Sequence, residues 1–162
     1  MNNAIYLFKE PKNEPFINYS KGSKERALLT EALEKVKNEI VEIPLIIDGK
    51  EIYTGQKGKV VMPHNHQHVL AEYHMAQPEH VKMAIDASLK AKKDWMELSW
   101  IERASIFQRA AELISKKYRY LLNATTMHGQ GKNAYQAEID AACEVIDYLR
   151  FNNFFASKIY EE

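Results

Sequence analysis

The feature that most constrains the fold is the helical pattern over residues 133–155, near the end of the chain. Asn133 is a suitable N-cap, and no Pro or Gly follows it. At about 100° per residue, five polar side chains fall within one arc of roughly 120°. They are Gln136, Asp140, Glu144, Asp147 and Arg150. Most of the remaining circumference is apolar, which predicts a helix buried on several sides within a body larger than a small bundle.

The first half of the chain predicts an extended arm, one helix and several short strands. Residues 1–22 are interrupted by prolines and form the arm, and Ser23 caps an amphipathic helix. Asp48 and Gly49 separate two short apolar runs and therefore predict a β-hairpin. Two further strands are expected on either side of a His-rich turn, at 59–62 and 69–73.

The second half of the chain predicts four helices. Pro78 suits a first helical position, and Ser99 with Glu102 forms a capping box that opens the next helix. A third helical segment, 117–127, leads through a turn at Gly129–Gly131 to the last helix. The expected fold class is mixed, mainly α-helical with one or two short β hairpins. Its regions are the arm at 1–22, a helix and hairpin region at 23–76, and a helical region at 77–162.

Composition excludes several classes of function. The 22 basic and 22 acidic residues give zero net charge, which argues against nucleic-acid or membrane-surface partners and favours self-association. The one cysteine excludes an internal disulfide and fits a reducing compartment. No apolar run is long enough to cross a bilayer, and the first residues lack a signal-peptide pattern. A cytoplasmic protein is therefore predicted.

Several separated segments carry a family resemblance. They are GSKERALLTEAL, IPLIIDGKEIYTG, GQGK and QAEIDAACEVIDYLRFN, in that order. Together they resemble the N-terminal region of the delta-1-pyrroline-5-carboxylate dehydrogenases, which belong to the aldehyde dehydrogenase superfamily. The resemblance covers roughly residues 15–156 and implies the N-terminal part of the aldehyde dehydrogenase α/β fold.

The resemblance also implies an activity, the NAD-dependent oxidation of glutamate semialdehyde to glutamate in proline catabolism. Family members are several times longer, and their nucleophile and most of their cofactor site lie in later segments. The isolated chain is therefore expected to be inactive and not to bind NAD. The implied partners are the remainder of the parent polypeptide and further copies in a homo-oligomer. The resemblance implies that the hairpin takes part in forming that oligomer.

Glu144 is the one candidate substrate-binding residue. It lies at the border of the polar arc beside Tyr148, Phe151 and Phe155, where a carboxylate walled by aromatic rings can bind an ammonium group. By resemblance, its position matches a glutamate that lines the family's substrate pocket near the amino group of glutamate semialdehyde. The alternative from the residues alone is a boundary glutamate that reaches into solvent.

Other polar residues of the last helix have structural interpretations. Glu138 falls on the apolar side, which predicts either a paired buried carboxylate or a first-turn partner of the helix dipole. Arg150 is assigned a structural ion pair, for example with Asp147 or Asp140. No catalytic role is assigned to Arg150 or to Asn152. Cys143 lies among alanines within the helix, so a small core residue is expected and not a nucleophile.

Two motifs suggest ligands only superficially. Gly129–Lys132 matches neither a dinucleotide fingerprint nor a P-loop, because a helix precedes it, and a plain helix–helix turn is expected. His64, His66 and His68 could converge on Zn²⁺ or Cu²⁺, but Pro63 and Asn65 favour a solvated loop.

Two alternatives to the dehydrogenase interpretation remain. The chain could be a self-contained helical interaction module whose last helix binds a partner, or a metal protein built on the His cluster.

Overall fold

The computed structural model describes residues 8–161 of the chain. The helices are α1 (Lys24–Asn38), α2 (Pro78–Glu97), α3 (Trp100–Leu113), α4 (Arg119–Gln130), α5 (Ala134–Ala137) and α6 (Glu144–Glu161). The strands are β1 (Val41–Ile43), β2 (Leu45–Ile47), β3 (Lys50–Ile52), β4 (Lys57–Met62) and β5 (Asn65–His74). A mainly helical chain with short strands was predicted, and this is confirmed. The first seven residues of the predicted arm lie outside the described range.

The strands form two small sheets. Strands β2 and β3 make the predicted antiparallel hairpin, with Asp48 (φ 53°) and Gly49 (φ 71°) at its turn. The other sheet has the order β1-β5-β4, in which β1 is parallel and β4 antiparallel to β5. The sequence did not predict β1. Strand β5 also begins at Asn65, so His66 and His68 lie on a strand and the predicted His-rich turn is wrong at these positions.

The helix ends form at the residues that their capping chemistry predicts. Ser23 accepts from the Arg26 N–H before α1, and Ser99 and Glu102 form their capping box before α3. Gly131, with φ 69°, ends α4 in the left-handed region that favours glycine. Asn133 then caps α5 in a capping box with Gln136.

Two π-helical turns make the helices longer and less regular than predicted. The first π turn, Ile114–Tyr118, joins α3 directly to α4, so the separate segment expected from residue 117 is part of one continuous helix. The second π turn, Glu138–Cys143, joins α5 to α6. A π turn has hydrogen bonds from i to i+5, and the residues after it are therefore out of phase with a uniform 3.6-residue repeat.

Within residues 8–161 the core consists of two small clusters. One contains Tyr19, Leu29 and Ala124, where the arm and α1 meet α4. The other contains Ala111, Ala142 and Ile146, where α3 meets the second π turn and α6. Helix α2 has no buried residue. None of the helices in the described range combines the length and apolarity needed to cross a lipid bilayer.

The surface of the chain is large for its mass. Its accessible area is 11,539 Å², whereas a compact monomer of 18.8 kDa exposes about 8,300 Å². Many apolar side chains contribute to the difference, among them Ile46, Leu89, Met96 and Ile159, each more than 60% exposed. The two clusters are therefore too small to cover the apolar faces of the helices.

Candidate functional site

A buried ion pair lies where the arm crosses two helical runs, the one that contains α4 and the one that contains the second π turn and α6. Arg119 is the first residue of α4, and Glu138 is the first residue of the second π turn. Their side chains are 4% and 0% exposed and form a direct salt bridge. A buried charge without a partner would be strongly destabilising, so each of these side chains needs the other. Of the two interpretations offered for Glu138, the paired buried carboxylate is confirmed.

Glu138 also holds the arm in place. It accepts hydrogen bonds from the Ile17 N–H (3.0 Å) and the Tyr19 hydroxyl (2.6 Å). The Asn123 amide donates to it as well, at 2.7 Å. Burial alone would raise the pKa of Glu138, but the hydrogen bonds from Arg119, Tyr19 and Ile17 hold it below its usual value. The same surroundings raise the pKa of the Tyr19 hydroxyl, first through burial and then through its bond to Glu138.

Glu14 of the arm extends this network to α6. It accepts from Arg119 and Arg150, each at 2.5 Å, and from the Ser115 hydroxyl at 2.7 Å. Arg150 also pairs with Glu112 at 3.0 Å. The predicted ion pair of Arg150 is thus confirmed, but the suggested partners Asp147 and Asp140 are wrong. The arm supplies the main partner, and a helical pattern contains no information about the path of an arm.

The two aspartates that were suggested for Arg150 bind elsewhere. Asp140 forms a salt bridge with Lys132 at 2.6 Å. Asp147 accepts two hydrogen bonds from the arm, from the Asn13 side-chain amide and from the Glu14 N–H, each at 2.7 Å. Both carboxylate oxygens of Asp147 are therefore occupied, and residues 13 and 14 are fixed against α6.

Glu144 lies in a concavity of about 410 Å³ beside this contact. The residues that line it are Asn13, Glu144, Asp147, Tyr148, Phe151, Asn152 and Phe155. Glu144 is exposed and forms no hydrogen bond or ion pair within residues 8–161. Three aromatic side chains share this concavity with Glu144, its one carboxylate that has no partner among residues 8–161. Such an arrangement can bind a small cation through charge and through the ring faces.

The residues Glu14, Tyr19, Arg119, Asn123 and Glu138 form what we call the buried network, and Cys143 lies at its edge. Its sulfur lies 3.6 Å from an Arg119 nitrogen and 3.8 Å from Glu138. Burial raises the pKa of the Cys143 thiol to about 11, and the negative charge of Glu138 contributes to the rise. The thiol is therefore protonated at neutral pH, which is unsuitable for a nucleophile.

The other two motifs have local structural roles. Gly129 lies within α4 and Gly131 ends it, so the GQGK segment is the end of a helix. Among the described residues, no three His, Cys, Asp or Glu side chains are grouped so as to hold a metal ion. His68 contacts the Lys37 carbonyl at 2.8 Å. His74 is buried, where its ring accepts from the Gly55 N–H and contacts Glu42 at 3.0 Å.

Two features of the site were missed from the sequence. One is the contribution of Asn13 and Glu14, for which no local pattern exists. The other is an apolar groove of about 440 Å³ between α1, the three-stranded sheet and α4, lined by Val36, Val41, Ile43, Val60, Leu70 and Leu121 among others. The continuous apolar face of α1 was the one signal for this groove.

Comparison with known proteins gives one consistent result. The model of the aldehyde dehydrogenase family matches residues 52–162, more than half of the chain. The probable delta-1-pyrroline-5-carboxylate dehydrogenase of Schizosaccharomyces pombe is 49% identical over 156 residues, which cover 94% of this chain. The mitochondrial delta-1-pyrroline-5-carboxylate dehydrogenase of Dictyostelium discoideum is 45% identical and also covers 94%.

A solved structure confirms the similarity of the fold. The delta-pyrroline-5-carboxylate dehydrogenase of Mycobacterium tuberculosis superposes with a TM-score of 0.96 and 39% identity over 99% of this chain. A further structure of that enzyme contains bound NAD. The chain spans 28% of the length of the S. pombe relative and 30% of the M. tuberculosis chain. Its fold matches an N-terminal part of the larger aldehyde dehydrogenase fold, as the resemblance implied.

The predicted cytoplasmic location is wrong. The relatives from D. discoideum and Homo sapiens, 45% and 40% identical to this chain, are both named mitochondrial enzymes. The prediction depended on a single cysteine and on the absence of a signal-peptide pattern. Neither observation distinguishes the cytosol from another reducing compartment.

Proposed function

The chain belongs to the aldehyde dehydrogenase family, and we propose that it forms the N-terminal part of an enzyme that oxidises glutamate semialdehyde to glutamate with NAD. The observation that carries this proposal is the shared name of its relatives. Relatives that are 40–49% identical, from fungi to mammals, are delta-1-pyrroline-5-carboxylate dehydrogenases, and each covers at least 91% of this chain. Glutamate semialdehyde is the open-chain form of delta-1-pyrroline-5-carboxylate.

Glu144 would bind the ammonium group of the substrate. Its carboxylate has no partner in the described part of the chain, and it lines the concavity together with Tyr148, Phe151 and Phe155. An ammonium group close to these rings is partly withdrawn from water, which strengthens its attraction to the carboxylate. The buried network contributes indirectly, because Glu138 and Arg119 hold the arm that forms one wall of the concavity.

The described residues do not fit the phosphates of NAD. A dinucleotide site needs a glycine-rich turn between a strand and the start of a helix, and the GQGK segment instead ends α4. Cys143 is likewise unsuited to attack an aldehyde, because its pKa is raised to about 11. We therefore assign binding of NAD and the covalent steps of the reaction to sequence outside this chain, and we expect the isolated chain to be inactive.

The exposed apolar surfaces fit the same proposal. Helix α2 has no buried residue and exposes Val81, Ile85 and Leu89. We propose that the remainder of the enzyme covers this helix and the apolar groove, and that further copies in a homo-oligomer cover what is left. The alternative of a self-contained helical interaction module requires the chain to cover most of its own apolar surface, which its large accessible area argues against.

A chimeric enzyme tests the proposed function. The chain would be joined to the remainder of the M. tuberculosis enzyme, whose matching part has the same fold. Aldehyde-dependent formation of NADH is then measured for the chimera and for the isolated chain. We expect activity in the chimera alone. Activity of the isolated chain would contradict its proposed inertness, and a folded chimera that binds NAD without oxidising glutamate semialdehyde would contradict the proposed substrate.

A further inference from the structure

Asn13 and Glu144 line the same concavity, and the side-chain amide of Asn13 has a free acceptor. Its amide nitrogen donates to Asp147 at 2.7 Å. An ionised carboxylate can only accept hydrogen bonds, so the NH₂ group of Asn13 must face Asp147. The amide oxygen therefore points away from Asp147, and it has no hydrogen-bond partner within residues 8–161.

Asp147 is suited to fix this orientation. One of its oxygens accepts from the Asn13 amide and the other from the Glu14 N–H. Glu14 is itself anchored by Ser115, Arg119 and Arg150. The arm therefore cannot shift along α6 without breaking several charge-assisted hydrogen bonds, and the amide of Asn13 is held in one orientation.

We infer that Asn13 is a second ligand-binding residue of this concavity, whose amide oxygen accepts from the substrate ammonium group alongside Glu144, and that Asp147 is the positioning residue that holds it. This inference rests on the proposed function. An ammonium group has three N–H donors and no acceptor, so a carboxylate and an oriented amide oxygen complement it better than a carboxylate alone. A ligand without the ammonium group would gain nothing from Asn13.

The test compares two ligands in the chimeric enzyme described above. L-glutamate and glutarate differ only in the ammonium group, and the inhibition constant of each is measured against the aldehyde substrate. The variants are Asn13→Ala and Asp147→Asn. In Asp147→Asn the amide oxygen has to stay opposite the Glu14 N–H, which can only donate, so the new NH₂ group faces Asn13. The amide of Asn13 must then turn its oxygen towards this NH₂ group and its own NH₂ group away from it. Asn18→Ala is the matched control, because Asn18 lies on the same arm and its side chain bonds only to Ser20 among residues 8–161.

We expect both variants to weaken binding of L-glutamate roughly fivefold, the effect of losing one hydrogen bond, and to leave binding of glutarate unchanged. Asn18→Ala should alter neither constant. The deciding quantity is the inhibition constant of glutarate divided by that of L-glutamate, which measures the preference for the ammonium group. If Asn13→Ala and Asp147→Asn keep the wild-type value of this ratio while Glu144→Gln lowers it, the inference is wrong and the proposed function stands. If both ligands weaken equally, Asn13 has only a structural role and the inference also fails. If Glu144→Gln leaves the ratio unchanged too, the ammonium group does not bind in this concavity.

Discussion

Glu138 and Arg119 illustrate how two residues of opposite charge can occupy a place where neither could lie alone. Both side chains are almost completely buried. The arm donates a hydrogen bond to Glu138 from the Ile17 N–H and accepts one from Arg119 at the Pro15 carbonyl. The pair therefore helps to determine where the arm crosses the helices, and Asn13 of the arm lines the same concavity as Glu144. A buried ion pair of this kind contributes most to specificity of structure, since an apolar replacement of both residues can be equally stable.

Glu138→Gln should strongly destabilise the chain. The substitution keeps the shape of the side chain but leaves the buried guanidinium of Arg119 with Glu14 as its only charged partner in the described part of the chain. We expect a loss of about 3 kcal/mol in the free energy of unfolding, measured by urea denaturation. Glu144→Gln is the matched control on the same helical run, and its effect should lie within about 0.5 kcal/mol because the side chain is exposed. Equal effects of the two variants would show that the buried pair has no special role.

Stability should decrease in acid because of the same carboxylates. Burial would raise the pKa of Glu14 and of Glu138, but hydrogen bonds from their partners lower each pKa below the ordinary value of 4.5. The unfolded state then binds more protons than the folded state, so this stabilisation is complete above pH 4.5 and is lost as the pH falls through the folded pKa values.

The measurement is the melting temperature between pH 7 and pH 3, compared with Glu138→Gln. The parent chain should lose stability below about pH 4.5 more steeply than the variant, which has lost one of the two titrating groups. Identical slopes for parent and variant would contradict the assignment of this acid sensitivity to Glu138.

At the level of single residues, the sequence predicted what a helical repeat can contain. The repeat placed Glu138 on the apolar side, where a paired buried carboxylate was one of two interpretations, and it placed Glu144 beside the aromatic side chains. It could not supply Glu14 as the partner of Arg150, because the two residues are 136 positions apart. Long-range contacts of an irregular arm have no periodicity from which they could be predicted.

At the level of the elements, helix ends were predicted well and helix continuity poorly. Caps are local, since Ser99, Asn133 and Gly131 each act within a few residues of the chain. The π turns depend on tertiary packing instead. Each lies beside the buried network, with Arg119 directly after the first and Glu138 at the start of the second. Strand β1 was missed for a similar reason, since three residues form a strand only by pairing with β5.

Replacing Gly129 or Gly131 with alanine should change the free energy of unfolding in opposite directions. Gly131 has a φ of 69°, and an added Cβ would lie 3.3 Å from the Pro63 side chain. Gly131→Ala should therefore destabilise the chain by about 1–2 kcal/mol, the cost of a left-handed conformation with a Cβ. Gly129 is helical and has open space around it. Gly129→Ala should stabilise the chain by about 0.5–1 kcal/mol.

Thermal or urea unfolding of both variants measures these differences. Because the two positions are separated by one residue, any general effect of altering this segment would appear in both variants. A stabilising Gly131→Ala would mean that α4 does not end at Gly131.

At the level of the whole molecule, the accessible area is the most informative quantity. The chain exposes 11,539 Å², against about 8,300 Å² for a compact monomer of its mass. The broad apolar circumference of the last helix predicted burial within a larger body, and this chain alone leaves much apolar surface exposed. Which surfaces remain bare could not be predicted, because that depends on how α2 and the sheets are placed. Exposed apolar area of this extent promotes association, and zero net charge does not oppose it.

The isolated chain should therefore self-associate, and α2 offers a sharp way to test the cause. Leu89 on this helix is 63% exposed. Leu89→Lys should lower the concentration-dependent increase in sedimentation coefficient, because it places a charge within the apolar face. Asp86→Asn changes the net charge by the same one unit on the charged side of this helix, where Asp86 is exposed, and should have a smaller effect. A parent chain that sediments as a monomer at every concentration, and that binds no dye specific for apolar surface, would contradict the prediction. It would show that the exposed apolar faces are too dispersed to act as a contact surface without the rest of the enzyme.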